Sequence, residues 1–295
     1  MKSINLKNKN EIKLVWLTSI LTFIFAYMWN VIVTIVIEVY QVKKLGSREA
    51  GKVFMDNLVS TNLPFQLILA LGTECTLLVT VYFIIRKYND GEFNLALIGM
   101  EIKGGMERKL FMLGTGVASL MTLVIFAGLT VFGYAKFLGS DYVNCSVFNI
   151  FISISVALAL GALAGLAEEI VFRGIILKNL INKKGKVFSI IVSSLVFAIG
   201  HINRLDIWYV LYTFLIGVFL GSLYIIADSI YLPIGFHFMW NSYSYLISVN
   251  GDNYVNIKSI LNFNINNNVY FISIILSFGA LLFAFIIQKL FMKRI

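Results

Sequence analysis

The chain contains only two histidines, His201 and His237, and both lie within apolar stretches that are typical of membrane helices. Two adjacent carboxylates, Glu168 and Glu169, close another apolar stretch. A charged side chain at the depth of a bilayer costs at least about 2.5 kcal/mol, so such residues are rare unless they have a function. Histidine and glutamate are also the residue types that transfer protons in catalysis or bind a metal ion. These four residues are the first candidates for chemistry.

The spacing around the two carboxylates predicts different surroundings for each. Glu169 and Arg173 are four residues apart, with the acid first, which favours an ion pair on one helix face. Glu168 is rotated by about 100° from Glu169 on a helix, so it faces a different neighbour. Adjacent glutamates at a helix end are also typical of a solvated face, which is the structural alternative.

The two histidines belong to similar pairs. Phe197 precedes His201 by four residues, and Asn241 follows His237 by four, so each pair shares a helix face. A histidine or asparagine within the membrane often serves only to hydrogen-bond neighbouring helices. Packing alone explains each pair by itself, but it explains less well why every histidine of the chain occurs in such a pair.

Together these pairs resemble the three motifs of the CPBP family of intramembrane proteases, which includes CAAX proteases, bacteriocin-processing enzymes and Abi proteins. The resemblance covers about residues 147–249, and the motifs occur in the family's order without a departure. They are Glu168-Glu169-x-x-x-Arg173, Phe197-x-x-x-His201 and His237-x-x-x-Asn241.

The resemblance implies hydrolysis of a peptide bond within the membrane. Glu168, held with His201, would be the general base that activates a water molecule. His237 and Asn241 would donate hydrogen bonds to the oxyanion of the tetrahedral intermediate. This division of roles suits amide hydrolysis, which needs an activated water and a stabilised oxyanion.

The remaining motif residues would support the site rather than react. By the same resemblance, Glu169 and Arg173 would form the ion pair that keeps the motif in shape, and Phe197 would pack beside it. Family members resemble metal-independent glutamate proteases, so we expect no cofactor.

A zinc site is the competing interpretation of the same residues. Glu168, His201 and His237 could be three protein ligands of a catalytic zinc ion, with water in the fourth position. No His-Glu-x-x-His pattern occurs, which removes the commonest zinc-protease motif.

The composition predicts an all-α, polytopic membrane protein. Of the 295 residues 59% are hydrophobic and only 13% are charged, and the mean hydropathy is +0.86. This excludes an ordinary soluble enzyme. The chain has a net charge of +9, and in a membrane protein such an excess of basic residues is typical of loops that face anionic lipid. We therefore expect lipid as a partner and no nucleic acid, and the resemblance adds a peptide or membrane-protein substrate. Stretches of about ten residues with alternating polarity, which a membrane barrel needs, do not occur.

The apolar runs predict eight spans near 14–40, 63–85, 110–132, 147–172, 187–202, 207–227, 231–249 and 270–291.

The distribution of basic residues predicts an orientation. With the N-terminus inside, seventeen of the 24 Lys and Arg residues lie on the cytoplasmic side and seven outside. Both termini are then cytoplasmic, and we expect a multi-pass protein of a bacterial cell membrane. The loop 41–62 is the exception, because it places four basic residues outside, and we expect it to be an amphipathic, interfacial segment.

This pattern divides the chain into three regions. Residues 1–146 would form three N-terminal spans, residues 147–249 the protease core, and residues 250–295 an external loop with the last span. Two polar stretches, Gly139 to Asn144 and Asn262 to Asn268, are predicted to be solvated external connections.

Several residues outside the motifs also suggest roles. Small-residue pairs at a spacing of four predict close helix packing around the site. Glu74, within the second span, is either a functional carboxyl or a neutral, hydrogen-bonded one. Asp228 between two spans is expected to be a turn or cap residue, and a disulfide between the two cysteines is not expected. The glycine pairs are Gly161-x-x-x-Gly165 and Gly217-x-x-x-Gly221.

Two classes of function remain open at this stage. The first is an intramembrane endopeptidase that cuts a peptide precursor or membrane protein near the cytoplasmic side. The second is a non-catalytic membrane protein, for example an immunity factor or scaffold that binds a bacteriocin-like peptide. A transporter would be expected to show inverted repeats and broken helices.

Overall fold

The structure is a computed structural model that describes residues 10–88, 92–100, 104–201, 207–251 and 256–265. Long apolar sequences with few helix-breaking residues form α-helices over most of these ranges, because a helix satisfies its own backbone polar groups in lipid. The helices are α1 Asn10–Leu45, α2 Arg48–Thr61, α3 Leu63–Tyr88, α4 Met106–Val131, α5 Val147–Glu169, α6 Lys178–Lys184, α7 Lys186–Gly200, α8 Ile207–Ala227 and α9 Tyr231–Leu246. A π-helical segment, Ile170–Leu177, joins α5 to α6 without a break.

Five apolar helical stretches are long enough to cross a membrane, which confirms an all-α, multi-pass membrane protein. They correspond to the first, second, third, fourth and sixth predicted spans. They are Trp16–Leu45, Leu63–Lys87, Met106–Val131, Val147–Ile181 and Ile207–Ala227.

The other predicted spans have different outcomes. The fifth is the shorter apolar helix α7, and the seventh corresponds to the 16-residue α9, which ends at Leu246. The eighth, 270–291, lies outside the described residues. The fourth span is longer than predicted, because its helix continues through the π-helical segment.

A small β-sheet is the main feature that the sequence did not predict. The antiparallel strands β1 Ala135–Gly139 and β3 Leu261–Ile265 pair with each other, and β2 Ile247–Val249 runs parallel to β3. The sheet has its own apolar cluster, in which the Phe126 and Phe263 rings lie 4.6 Å apart.

The prediction that Gly139 to Asn144 and Asn262 to Asn268 are separate solvated connections is wrong for their described residues. Asn262 lies in β3, and its side-chain amide donates to the Asp141 carboxylate at 2.9 Å. The backbone N–H of Ser259 donates to the other oxygen of Asp141 at 3.0 Å. The described parts of the two polar stretches are therefore bonded to each other, although each looked like a separate surface loop in the sequence.

The segment 41–62, whose four basic residues are the exception to the predicted orientation, contains α2. This helix buries Gly51 and Met55 while most of its other residues stay exposed, as expected of an amphipathic segment. Asp228 lies in a turn with φ of +48°, in agreement with the predicted turn. Cys75 and Cys145 are both free thiols.

The core lies where α5 and the π-helical segment contact α3, α7 and α9. Gly161 and Gly165 allow α9 to approach α5 closely, because a Cβ atom on Gly165 would lie 2.7 Å from the backbone nitrogen of Phe238. A Cβ atom on Gly217 would likewise lie 3.0 Å from the Ser194 Cα atom, which brings α8 against α7. The predicted close packing is confirmed at Gly161, Gly165 and Gly217, whereas a Cβ atom on Gly221 would make an ordinary contact of 3.4 Å with Ile190. The first pair brings the motif-bearing helices α5 and α9 together.

Candidate active site

Three chain segments bring the motif residues to one place. Glu168 and Glu169 are the last two residues of α5, His201 directly follows α7, and His237 lies in the second turn of α9. The π-helical segment that follows the carboxylates is fully buried, and such segments are frequent at functional sites.

Glu169 and Arg173 form the predicted ion pair. The Arg173 Nη1 atom lies 2.9 Å from Glu169 Oε1, and both side chains have no exposed area. Arg173 Nη2 donates a second hydrogen bond to the carbonyl oxygen of Gly217 at 2.8 Å. The guanidinium also lies 5.1 Å from the centre of the Phe197 ring, within the range of a cation–π contact. This group of contacts connects α5, the π-helical segment, α7 and α8.

Glu169 has a second partner that the sequence did not predict. Its Oε1 atom also accepts a hydrogen bond from Nδ1 of His237, at 2.8 Å. A carboxylate that is paired with Arg173 can only accept, so the Nδ1 atom of His237 carries the proton. The ion pair therefore also fixes the orientation of the His237 ring.

The backbone fixes the other histidine in the same way. His201 Nδ1 lies 2.9 Å from the carbonyl oxygen of Phe197, one turn earlier, and a carbonyl oxygen can only accept. The Phe197 ring is buried and lies 4.6 Å from the His201 ring, centre to centre. The interval of four residues between them thus accounts for both a hydrogen bond and a ring contact.

With both Nδ1 atoms engaged, both Nε2 atoms face Glu168. Glu168 Oε2 lies 3.7 Å from Nε2 of His237 and 3.9 Å from Nε2 of His201. That oxygen is buried and has no hydrogen-bond partner among the described residues. These separations exceed a direct hydrogen bond, and a water molecule could donate to Glu168 Oε2 and to one of the two Nε2 atoms.

The exposure of the three side chains indicates the open side of this cluster. The His237 side chain is 5% exposed and that of Glu168 13%, whereas 27% of the His201 side chain is accessible. A substrate would therefore approach from the side of His201, at the end of α7.

Asn241 lies one turn after His237 on α9, and therefore on the same face of that helix. Its side chain makes no hydrogen bond within the described part of the chain, and it is partly accessible. Its amide can therefore donate to a bound molecule.

The metal hypothesis needs a set of ligands that surrounds a single point. Among the described residues, no group of three or more His, Cys, Asp or Glu side chains has an arrangement that could hold a metal ion. The hydrogen bonds on both Nδ1 atoms would suit zinc ligands, but they equally suit histidines that bind water. The residues thus give zinc no specific support.

Two features of the site could not be found in the sequence. The Gly217 carbonyl that receives Arg173 is a backbone group in another helix, and no residue pattern marks it. The hydrogen bond from His237 to Glu169 joins residues 68 positions apart, so local spacing does not reveal it.

The fold and the site define a multi-pass, all-α membrane protein that encloses two carboxyl groups and two histidines between its helices. Residues 149–243 match a family model described as Rce1-like, type II CAAX prenyl endopeptidase Rce1-like. The matched segment begins in α5, ends in α9 and contains all seven motif residues, although it covers less than half of the chain. A comparison with curated proteins finds no match. The resemblance to the CPBP proteases is thus confirmed for this segment, and it supports a peptidase.

Proposed function

We propose that the protein is a metal-independent intramembrane endopeptidase in which Glu168 activates the attacking water. The observation that carries the proposal is the position of Glu168 Oε2, which lies within 3.7 and 3.9 Å of the two histidine Nε2 atoms. Because both Nδ1 protons are engaged elsewhere, both Nε2 atoms can accept, and a water molecule here would donate one hydrogen to Glu168 and the other to one of the two histidines. A water held in this way presents its oxygen to a peptide carbonyl.

The proton follows a short path in this mechanism. Glu168 takes a proton from the water as the water oxygen attacks the carbonyl carbon. It later gives that proton to the amine nitrogen as the bond between the carbonyl carbon and that nitrogen breaks. No group of the protein becomes covalently attached to the substrate. His201 holds the water from the open side of the cluster.

The oxyanion is stabilised from α9. Asn241 offers a free amide donor, and His237 would donate from Nε2 in the form of the ring that has taken up a second proton from solvent before the substrate binds. The carboxylate of Glu169 on Nδ1 stabilises the positive charge that then forms on the ring. Glu169 therefore has two roles, one in the ion pair with Arg173 and one behind His237.

We further propose a bacterial cell-membrane location with both termini cytoplasmic. The substrate is a peptide precursor or membrane protein that reaches the site from within the bilayer.

The experiment is a cleavage assay in proteoliposomes. Membrane-anchored peptides, with and without a prenylated cysteine, are incubated with the purified protein, and products are identified by mass spectrometry. We expect new peptide termini with the unaltered protein and none with His237→Ala. A peptide that binds but stays intact would contradict the proposal and favour an immunity or scaffold function.

A further inference from the structure

One face of α3 packs along α5 and contains a single carboxyl group. Leu63, Leu67 and Ala70 contact the cluster around Ala157 and Leu160, in the first half of α5. About two to three turns later, the same face continues towards the end of α5. There Leu77 and Val81 belong to the core cluster that contains Ala167, Ile170 and Val171.

Glu74 occupies the gap in this stripe. The stripe positions 63, 67, 70, 77 and 81 follow alternating intervals of three and four residues if 74 is included, which is the spacing of one helix face. The two contact clusters place Glu74 between the level of Leu160 and that of Ala167. This is the part of α5 that leads directly to Glu168.

Two carboxyl oxygens in this region lack partners. Glu74 Oε2 and Glu168 Oε2 are both buried, and neither has a hydrogen-bond partner among the described residues. Two ionised carboxylates on these packed helices, each with a buried oxygen that has no described partner, would be costly, which favours a proton on one of them.

The neighbouring helices identify Glu74 as the protonated partner. Beside this part of α3, α1 presents Trp29 and Asn30, which are neutral and bond to Ile68 and Thr73. No described basic group of α1 or α3 pairs with Glu74. Glu168, in contrast, lies on the side of the partly accessible His201 and is itself 13% exposed, so water can solvate its negative charge.

We propose that Glu74 is a positioning residue of the active site, whose protonated carboxyl donates a hydrogen bond to Glu168, directly or through one water molecule. The proton satisfies both unpartnered oxygens and holds the Glu168 carboxylate in the orientation that faces the histidines. The inference rests on the proposed function, because it assigns Glu74 a role in that same site. Glu74 does not touch the substrate, and its effect is therefore expected on kcat rather than KM.

The first test compares two replacements in the cleavage assay. Glu74→Gln retains a hydrogen-bond donor of similar shape, and we expect kcat within about threefold of the unaltered protein. Glu74→Leu removes the donor to a charged group, and we expect kcat to fall about 10- to 100-fold at unchanged KM. Cys75→Ala, on the exposed side of the same helix turn, is the matched control and should have no effect. Equal activity of the Leu and Gln variants, or equal loss in both, would overturn the proposal.

A second test does not depend on turnover or on the folding of the Leu variant. Infrared difference spectra between the unaltered protein and Glu74→Gln should contain the C=O stretch of a protonated carboxylic acid. That band should shift in Glu168→Gln and stay unchanged in Cys75→Ala. Absence of the band would overturn the inference. A shifting band in a protein that cleaves no peptide would instead overturn the proposed function and leave the Glu74–Glu168 hydrogen bond supported.

Discussion

Replacing Glu169 with glutamine should destabilise the folded protein, because it leaves Arg173 as an unpaired buried cation. The guanidinium has no exposed area, and its two hydrogen bonds go to Glu169 and to the Gly217 carbonyl. Its Nε atom has no partner among the described residues, so no second acceptor compensates for the lost carboxylate. The same replacement also weakens the acceptor of His237 Nδ1.

The expected magnitude follows from this burial. Removing one partner of a buried ion pair typically costs about 3–5 kcal/mol. Glu169→Gln should therefore lower the free energy of unfolding by about that amount, and Arg173→Met should have a similar effect. The double variant leaves no unpaired charge. It should consequently be more stable than the sum of the two single changes predicts, by about 0.5–3 kcal/mol.

Equilibrium unfolding in lipid–detergent micelles measures all four proteins of this cycle. Glu49→Gln, which removes an exposed carboxylate from α2, is the control and should change the free energy by less than about 0.5 kcal/mol. If Glu169→Gln behaves like this control, or if the two single changes add without coupling, the ion pair does not stabilise the fold as we argue.

Three further outcomes are expected. Gly165→Ala should lower both stability and turnover, because its Cβ atom would press on the backbone of α9. Gly116→Ala is the control, because it has open space around it and should change neither quantity, and equal effects of the two variants would contradict the packing argument. With the N-terminus inside, Val143 follows the third span and lies outside the cell, whereas Lys184 follows the fourth span and lies inside. In a cysteine-free background, an impermeant thiol reagent applied to whole cells should therefore label Val143→Cys and not Lys184→Cys, and the reverse labelling would refute a cytoplasmic N-terminus. Activity should survive exhaustive chelation, and elemental analysis should find no stoichiometric zinc; loss of activity that zinc restores would support the metalloprotease alternative.

Residue patterns of short range predicted five of the spanning helices and one contact of the candidate site. Intervals of four residues predicted the Glu169–Arg173 pair, and long apolar runs predicted the five spanning helices. The roles assigned to Glu168, His201, His237 and Asn241 stay predictions, because geometry places three of them together but does not measure turnover.

Interactions between distant segments could not be predicted in this way. The sheet joins β1 and β3, which are more than 120 residues apart, and its strands are only three to five residues long. The strand β3 alternates apolar and polar residues, but this short pattern does not identify the strands with which it pairs. The π-helical segment contacts distant residues: a Cβ atom on Gly174 would lie 2.5 Å from the Ile98 carbonyl oxygen, and the Ser193 hydroxyl donates to the Phe172 carbonyl.

The most direct test of the central claim is the turnover of Glu168→Gln in the proteoliposome cleavage assay. Glutamine keeps the shape of the side chain but cannot take a proton from water, so hydrolysis should fall to the background rate. Folding, membrane insertion and peptide binding should be retained, because Glu168 takes no part in the Glu169–Arg173 ion pair. Turnover of Glu168→Gln close to that of the unaltered protein would contradict its assignment as the general base.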